Sequence, residues 1–375
     1  MNVTQRMFTV EEIQAQVEEY AVDTHDHLAQ STNLTFNSGH LSYLEDGDGP
    51  LFDTATHQDG KLTDQSYTQV VGRLDGPDLK WLTQRCPLSL ADKIMNALAQ
   101  EYRDPARFLI RHKGSTVRAV LSDQYTKLDN IKLVPMVAKA LGIIKEQTGV
   151  NGVVMRPIIG DHLSMYVLLP DFPVAVDPRQ HYIGGQNGVL YPGAHVGNDE
   201  TGHGGVWIQS AVFTGICNNG AIFGWQEETD IRPFIRHRWI DEAALQHLVS
   251  LNLGEALKMS DAAIKMYVES YTISMGEEQL LGMVNEYRAK YGLLVSESQS
   301  WLGAVATEVG QRGDRQITLG DVVNGLTVQA HATKDPIRGE LFERIAGDAL
   351  TERLGNGLFG RNIHQRAPAL VWQPE

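Results

Sequence analysis

Three arginines lie close together in the stretch RFLIRHKGSTVRAVL, residues 107–121. Guanidinium groups bind phosphate and carboxylate oxygens through paired hydrogen bonds, so the stretch predicts contact with one of these anions. A two-residue turn at Lys113-Gly114 gives two strands whose side chains alternate between faces. The arginines then share one face: Arg107, Arg111 and Arg118. The opposite face is apolar and holds Phe108, Ile110, Val117, Ala119 and Leu121.

A second stretch, DIRPFIRHRW at residues 230–239, repeats this arrangement. If it is extended, one face holds Ile231, Ile235 and Trp239. The other face holds Arg232, Phe234, Arg236 and Arg238. Arginines that bind phosphates beside a ring that stacks on a base form a platform for single-stranded nucleic acid, and each stacked base contributes about 1 to 3 kcal/mol. The alternative is that the arginines of both stretches pair with the chain's own carboxylates as a structural ion-pair layer.

Two short motifs lie on either side of the long central loop: RAVLSDQYTKLDN at 118–130 and ICNNGAIFG at 216–224. Together they resemble the phage/plasmid-like protein family, a domain of unknown function found in prophages and plasmids, over residues 85–330. The motif residues are Asp123, Tyr125, Asp129, Cys217, Asn218, Asn219 and Gly220. The resemblance implies a mobile-element setting and no particular catalytic role. By analogy of fold alone, a β-rich middle with helical flanks is similar to single-strand annealing proteins.

The motif residues also have simpler interpretations. Asp123 follows a strand and can cap a turn, and Asp129 can cap the next helix, with pairing to Arg118 as the alternative. Asn219-Gly220 predicts a two-residue hairpin turn, because these residue types tolerate positive φ. Phosphate contact by the exposed amides of that turn is the functional alternative.

A metal site is a further candidate. Three histidines lie in a segment rich in Gly and Pro: His181, His195 and His203. Asp199 and Glu200 lie near them, so nitrogen and oxygen ligands are both present. The histidine spacings of 14 and 8 residues fall outside the usual local ligand patterns, and we predict no metal and no cofactor. No familiar catalytic motif occurs, although a paired-carboxylate enzyme with a site near residues 171–205 stays open.

Composition limits the class of protein. Of 375 residues, 42% are hydrophobic and 21% are charged, which is typical of a folded globular protein. No apolar run approaches the roughly 18 residues that cross a bilayer, and the first residues lack a signal-peptide pattern. Cys86 and Cys217 are too few for a disulfide framework and fit small buried residues. We expect a cytoplasmic protein with no membrane contact.

The net charge of −14 is spread unevenly. Residues 1–100 carry 6 basic and 15 acidic side chains, residues 101–240 carry 14 and 13, and residues 241–375 carry 12 and 18. An acidic protein repels nucleic acid unless its basic residues are concentrated on one surface. The middle region is therefore where such a surface is expected.

The order of the elements predicts the fold class. Residues 1–100 form an acidic region of helices and loops, residues 101–240 a β-rich core with a long loop at 171–205, and residues 241–375 a helical region. Because helices and strands occur in separate runs, we predict an α+β fold. Its parts are an antiparallel β-rich central domain, a helical N-terminal flank and an all-helical C-terminal region.

Local signals predict several boundaries. Thr9 and Glu12 suit a capping box at the start of the first helix, and Pro336 suits the first turn of the last helix. A helix is expected near residues 131–147. The segment 31–61 shows no lasting period and is expected to be loop with isolated short strands.

These observations favour a nucleic-acid-binding protein of a phage or plasmid that binds or anneals single-stranded DNA in recombination or replication. We expect it to form a homo-oligomer. The alternatives are a structural or protein-interaction protein whose arginines form internal ion pairs, and an enzyme.

Overall fold

A computed structural model gives the structure of the chain and describes residues 7–45, 57–77, 79–101, 106–172, 174–175, 189–202, 204–214, 220–223, 234–235, 242–312 and 316–354. Two large sheets, rich in antiparallel pairs, lie in the part of the chain before residue 240, and helices occur at both ends. The predicted α+β class is confirmed.

The first sheet joins the N-terminal strands to the arginine hairpin. Its strands are β1 (Thr24–Gln30), β2 (Leu34–Asn37), β3 (His40–Leu44), β4 (His57–Leu62), β5 (Arg107–Lys113) and β6 (Thr116–Ser122). Their order is β1-β5-β6-β4-β3-β2, and β4 pairs with β6 in parallel. The described residues of the segment 31–61 form strands that pair in this sheet, which corrects the expectation of a loop with isolated short strands. Its alternating apolar residues bury one face of the sheet: Leu34, Phe36, Leu41 and Tyr43.

The described part of the chain before β5 contains four α-helices: one precedes β1 and three lie between β4 and β5. They are α1 (Val10–Ala21), α2 (Asp64–Arg73), α3 (Leu79–Gln84) and α4 (Leu88–Glu101). The predicted capping box of α1 is confirmed: the Thr9 hydroxyl accepts from the Glu12 amide at 3.2 Å, and the Glu12 carboxylate accepts from the Thr9 amide at 2.9 Å. Apolar residues of α2 and α4 pack with the sheet's inner face. The boundary predicted near residue 100 falls between strands of this one sheet.

The second sheet is the centre of the molecule. Its strands are β7 (Val153–Ile158), β8 (His162–Leu168), β9 (Val174–Ala175), β10 (Val189–Asp199), β11 (Val206–Thr214), β12 (Gly220–Phe223) and β13 (Phe234–Ile235). The main path runs β12-β11-β10-β8-β7, with β9 on β10 and β13 on β11. One face packs against α1, α5 (Asn130–Thr148) and α6 (Glu242–Ser270) in a shared apolar core. Helix α5 matches the predicted helix to within one residue at each end.

The C-terminal region is helical apart from two very short strands. It comprises β14 (Ser274–Met275), α7 (Glu277–Tyr291), α8 (Val295–Arg312), β15 (Ile317–Thr318), α9 (Leu319–Ala332) and α10 (Pro336–Leu354). Pro336 opens α10 as predicted. A core that includes Tyr287, Trp301 and Phe342 joins these helices to the end of α6. The Trp301 indole donates to the Val322 carbonyl at 2.9 Å, so its polar atom is satisfied inside that core.

The arginine hairpin has a different register from the predicted one. Lys113 pairs with Thr116, so the turn residues are Gly114 and Ser115, and Gly114 has φ +53°. Arg111 pairs with Ala119 and His112 with Val117, which leaves Arg118 as an extra residue in a β-bulge. The predicted turn at Lys113-Gly114 is therefore wrong.

The bulge changes which residues share a face. Val117 and Val120 pack with Phe108 and Ile110 in the core of the first sheet. The other face carries an apolar group that includes Leu109, Ala119 and Leu121, contrary to the prediction for the last two. Without the bulge, Val117 and Val120 could not both lie on the core face, because residues three positions apart in a regular strand point to opposite faces.

Gly197 in β10 is a position where a side chain does not fit. A Cβ atom there would lie 2.1 Å from Trp207 Cζ2 and 2.6 Å from the Leu163 carbonyl oxygen. We expect Gly197→Ala to lower the free energy of unfolding by about 1 to 3 kcal/mol, because the buried indole and a strand backbone must both shift. Denaturant unfolding followed by circular dichroism measures the change.

Gly254→Ala is the matched control for this prediction. Gly254 lies inside α6, and nothing stands within 4 Å of the added atom. In a helix interior this substitution stabilises by about 0.5 to 1 kcal/mol. Equal stability of the two variants would contradict the packing argument at Gly197.

Candidate functional site

Arg111 is buried inside the protein with carboxylates around it. Its side chain is 1% exposed. The Nε atom donates to Asp26 Oδ1 at 2.8 Å, and Nη2 donates to Asp26 Oδ2 at 3.2 Å and to Asp129. The Nη1 atom donates to the Glu200 carbonyl at 2.7 Å. The guanidinium therefore joins β1, the start of α5 and the end of β10.

Arg118 lies beside Arg111, on the bulge of β6. Its side chain is 2% exposed, and Nη1 donates to Asp161 Oδ1 at 2.6 Å and to Glu200 Oε2 at 2.5 Å. The other Glu200 oxygen, Oε1, accepts from the Asn130 backbone amide at 2.6 Å. We call the six charged residues the arginine cluster: Arg111, Arg118, Asp26, Asp129, Asp161 and Glu200.

The charges in the cluster stabilise one another. Burial by itself lowers the pKa of Arg111, but Asp129 and Asp26 outweigh it and the pKa is raised. Burial likewise raises the pKa of Asp26, while the hydrogen bonds and charge of Arg111 lower it further than burial raises it. Both groups are therefore ionised near neutral pH, as an ion pair in a buried site requires.

The cluster connects the two sheets at a polar junction. Asn198 Nδ2 donates to the Leu128 carbonyl at 2.9 Å and to Asn130 Oδ1 at 2.8 Å. The Tyr125 hydroxyl donates to the Asp199 carbonyl at 3.5 Å. The first motif, residues 118–130, thus crosses from the first sheet to the helix that covers the second.

The structure brings some predicted site residues together and separates others. Arg107 is exposed at the start of β5, away from the buried Arg111 and Arg118. Asp129 precedes α5, but its side chain makes no capping hydrogen bond and binds Arg111, which corrects the capping role. Asp123 is exposed, and Ser122 Oγ accepts from the Gln124 amide at the same turn.

The second motif is described only in part. Gly220 pairs with Phe213 in the antiparallel β11–β12 pair, so it lies in a strand and not in the predicted turn. The buried Ile222 sits opposite Ala211, and this packing holds the register. Three motif residues lie outside the described residues: Cys217, Asn218 and Asn219.

The second arginine stretch is also described only in part. Phe234 and Ile235 form β13, which pairs with Trp207 and Val206 of β11. This extended pairing agrees with the predicted strand at these two positions. Its arginines lie outside the described residues: Arg232, Arg236 and Arg238.

His195, a metal-ligand candidate, lies inside the second sheet and not in a loop. Its Nε2 is 2.8 Å from Ser164 Oγ, and its Nδ1 accepts from the Trp207 indole at 3.3 Å. The indole bond requires a lone pair on Nδ1, so the neutral ring carries its proton on Nε2. His181 and His203 lie outside the described residues. Among the residues that are described, no group of three or more His, Cys, Asp or Glu is placed to hold a metal ion.

A second buried charged group lies on the face of the second sheet that α10 covers. Glu343 of α10 binds Arg156 of β7 and the Tyr166 hydroxyl of β8. Glu340, one turn earlier, lies 3.5 Å from His162 Nε2 and 3.8 Å from His195 Nε2. Sequence reasoning missed these acids because an acidic residue in an amphipathic helix is normally placed on its solvent face.

Within the part of the chain that the structure describes, no helix is both long and apolar enough to span a membrane.

Comparisons with protein-family models, with curated proteins and with solved structures find no match for this chain. The resemblance to the phage/plasmid-like protein family therefore stays a prediction from the two motifs.

Proposed function

We propose that this chain is a structural or protein-interaction protein of a mobile element, acting in the cytoplasm of the host. The observation that carries the proposal is the burial of Arg111 and Arg118 against the protein's own carboxylates. Both arginines lie in the hairpin whose sequence suggested phosphate binding. Their guanidinium groups instead donate hydrogen bonds to carboxylates and a carbonyl of the protein itself.

Binding of nucleic-acid phosphates to Arg111 and Arg118 would cost free energy, because it would break their internal ion pairs. A phosphate at Arg111 would have to displace Asp26 and Asp129, two partly buried carboxylates, of which Asp26 would keep only its contact with Lys127. Removing one partner of a buried ion pair typically costs about 3 to 5 kcal/mol. A few phosphate contacts do not recover that cost at ordinary salt concentrations.

The surplus acid of the chain also favours a protein partner over nucleic acid. The net charge is −14, and the cluster's arginines neutralise internal carboxylates and add nothing to the positive surface. A second copy of the chain is one such partner, and light scattering on purified protein measures the oligomeric state directly.

Single-stranded nucleic acid binding is the second candidate function. The specific observation in its favour is strand β13, because Phe234 and Ile235 are extended as the platform requires. In this case the contacts come from Arg232, Arg236 and Arg238, and Arg107 extends the basic surface only if it lies on the same side.

Binding of fluorescein-labelled oligothymidine across a salt series tests both functions. For the structural protein we expect no measurable binding at low salt by folded protein. For the second candidate, affinity falls with salt, and replacing Arg232, Arg236 and Arg238 together by glutamine flattens the slope by about one unit per lost phosphate contact.

The double variant Arg111→Met with Arg118→Met is the comparison in the same assay. The structural proposal predicts that this variant has a lower melting temperature than the wild type and the same lack of oligothymidine binding. Salt-dependent DNA binding that this variant abolishes, at an unchanged melting temperature, would overturn the proposal.

A further inference from the structure

Helix α10 presents two buried carboxylates to the second sheet, one helical turn apart. Glu343 is fully buried and Glu340 is 6% exposed. The rest of the buried side of α10 is mainly apolar and packs in the C-terminal core through Phe342, Ile345, Ala346, Ala349 and Leu350. The helix therefore meets its neighbouring helices through apolar contacts and part of the sheet through charged ones.

His162, at the start of β8, lies between two of these charges. Its Nδ1 faces Asp199 Oδ2 of β10 at 3.8 Å, and its Nε2 faces Glu340 Oε2 of α10 at 3.5 Å. The Trp207 ring of β11 packs at 5.2 Å between centroids and is uncharged. An imidazole ring with a carboxylate beside each nitrogen interacts most favourably with both when both nitrogens carry protons and the ring is positively charged.

Glu340 depends on this proton. Its other polar neighbours are His195, whose Nε2 lies 3.8 Å from Glu340 Oε1, and Ser164. Arg156 adds positive charge from a greater distance through its interaction with both acids of α10. Loss of the His162 proton therefore removes the positive charge at 3.5 Å from a buried carboxylate.

Arg156 of β7 and Glu343 of α10 form a second charged contact between the second sheet and the helix. Arg156 occupies the left-handed region with φ +48°, at the irregularity between Met155 and Ile158 in the β7–β8 pair. A non-glycine residue in this conformation is strained and persists only where surrounding contacts hold it. Here the ion pair with Glu343 provides that contact.

We propose that His162, Arg156, Glu340 and Glu343 form a latch that holds α10 on the second sheet and opens when His162 loses its proton. Opening removes the charged contacts of α10 with the sheet, so α10 unfolds locally at a lower free energy. The latch is a conformational device of the fold and does not depend on the function proposed above.

The titration of His162 sets the pH range. Burial lowers its pKa, but the two nearby carboxylates, Asp199 and Glu340, outweigh burial and raise the pKa to about 9. Because the folded pKa lies above the ordinary value of about 6.5, the stabilisation is complete below that value. It decreases as the pH rises and is lost above about pH 9.

Hydrogen exchange followed by mass spectrometry on the full chain tests the latch. Protection factors, corrected for the intrinsic rate, are compared at about pH 6 and about pH 9.5, on either side of the titration. We expect peptides that cover α10 to lose at least about tenfold protection, the equivalent of one pKa unit, while peptides of α5 keep theirs. An equal loss in α5, or no loss in α10, would overturn the proposal.

Two variants sharpen the result. His162→Gln removes the titrating group, so its α10 peptides should exchange at about pH 6 as the wild-type peptides do at about pH 9.5, with little further change. His247→Gln replaces an exposed histidine of α6 and should show the same loss of α10 protection between the two pH values as the wild type. The wild-type comparison needs no substitution, so the test stands even if His162→Gln fails to fold.

Discussion

Replacing Arg111 with methionine is expected to lower the free energy of unfolding by about 3 to 5 kcal/mol, because it removes the fully buried cation that binds two partly buried carboxylates. Asp26 and Asp129 both bind the guanidinium, and the Glu200 carbonyl loses its donor. A methionine fills much of the volume of the arginine stem, so the loss reports on charge more than on a cavity. Urea unfolding at neutral pH measures the change.

Arg107→Met is the matched control, because Arg107 is an exposed residue of the same strand. It should change the free energy of unfolding by less than about 0.5 kcal/mol. Adding Asp26→Asn to Arg111→Met should recover part of the loss, since it removes one of the two carboxylates that have lost the Arg111 cation. If Arg111→Met and Arg107→Met are equally stable, the ion pairs of the cluster contribute nothing and the internal role is wrong.

The difference in free energy of unfolding between the wild type and Arg111→Met depends on pH. The pKa of Asp26 is lowered in the folded protein, chiefly because the Arg111 interactions exceed the effect of burial. Its contribution is present above the ordinary aspartate value of about 3.9 and is lost as the pH falls through the folded pKa. The free energies of unfolding of the wild type and Arg111→Met should therefore become more similar as the pH is lowered into the acid range.

Glu343→Leu is expected to have an effect of similar size, about 3 to 5 kcal/mol, because it leaves the Arg156 guanidinium unpaired in a largely buried site. It also removes the acceptor of the Tyr166 hydroxyl. Thermal unfolding and denaturant titration both measure the loss.

Arg344→Leu tests whether an apolar residue on α10 is itself harmful, because Arg344 is the exposed neighbour of Glu343. It should shift stability by no more than about 0.5 kcal/mol. Arg156→Gly in the Glu343→Leu background should restore part of the loss, since glycine carries no charge and adopts positive φ without strain. No rescue would mean that the charge and conformation of Arg156 are not the cause.

Features that depend on a few neighbouring residues could be predicted from the sequence. The capping box at Thr9, the bounds of α5 and the role of Pro336 all follow from local chemistry. These signals act over three or four residues, and distant packing did not override them.

Features set by contacts between distant residues could not be predicted. The bulge at Arg118 cannot be seen in the hairpin itself, because it is stabilised by Asp161 and Glu200, 43 and 82 positions away. Asp129 was expected to cap a helix and binds Arg111 instead. With 46 acidic residues in the chain, composition cannot show which of them pair with a given arginine.

The strand order of the first sheet has a consequence for synthesis of the chain on the ribosome. Strand β1 pairs with β5 and β4 pairs with β6, so the hairpin at residues 107–122 inserts between strands made much earlier. Until that hairpin emerges, the edges of β1 and β4 are unpaired and open to association with other chains. A nascent chain that stops before the hairpin is made therefore exposes two strand edges, and the sheet is complete only after the arginines have been translated.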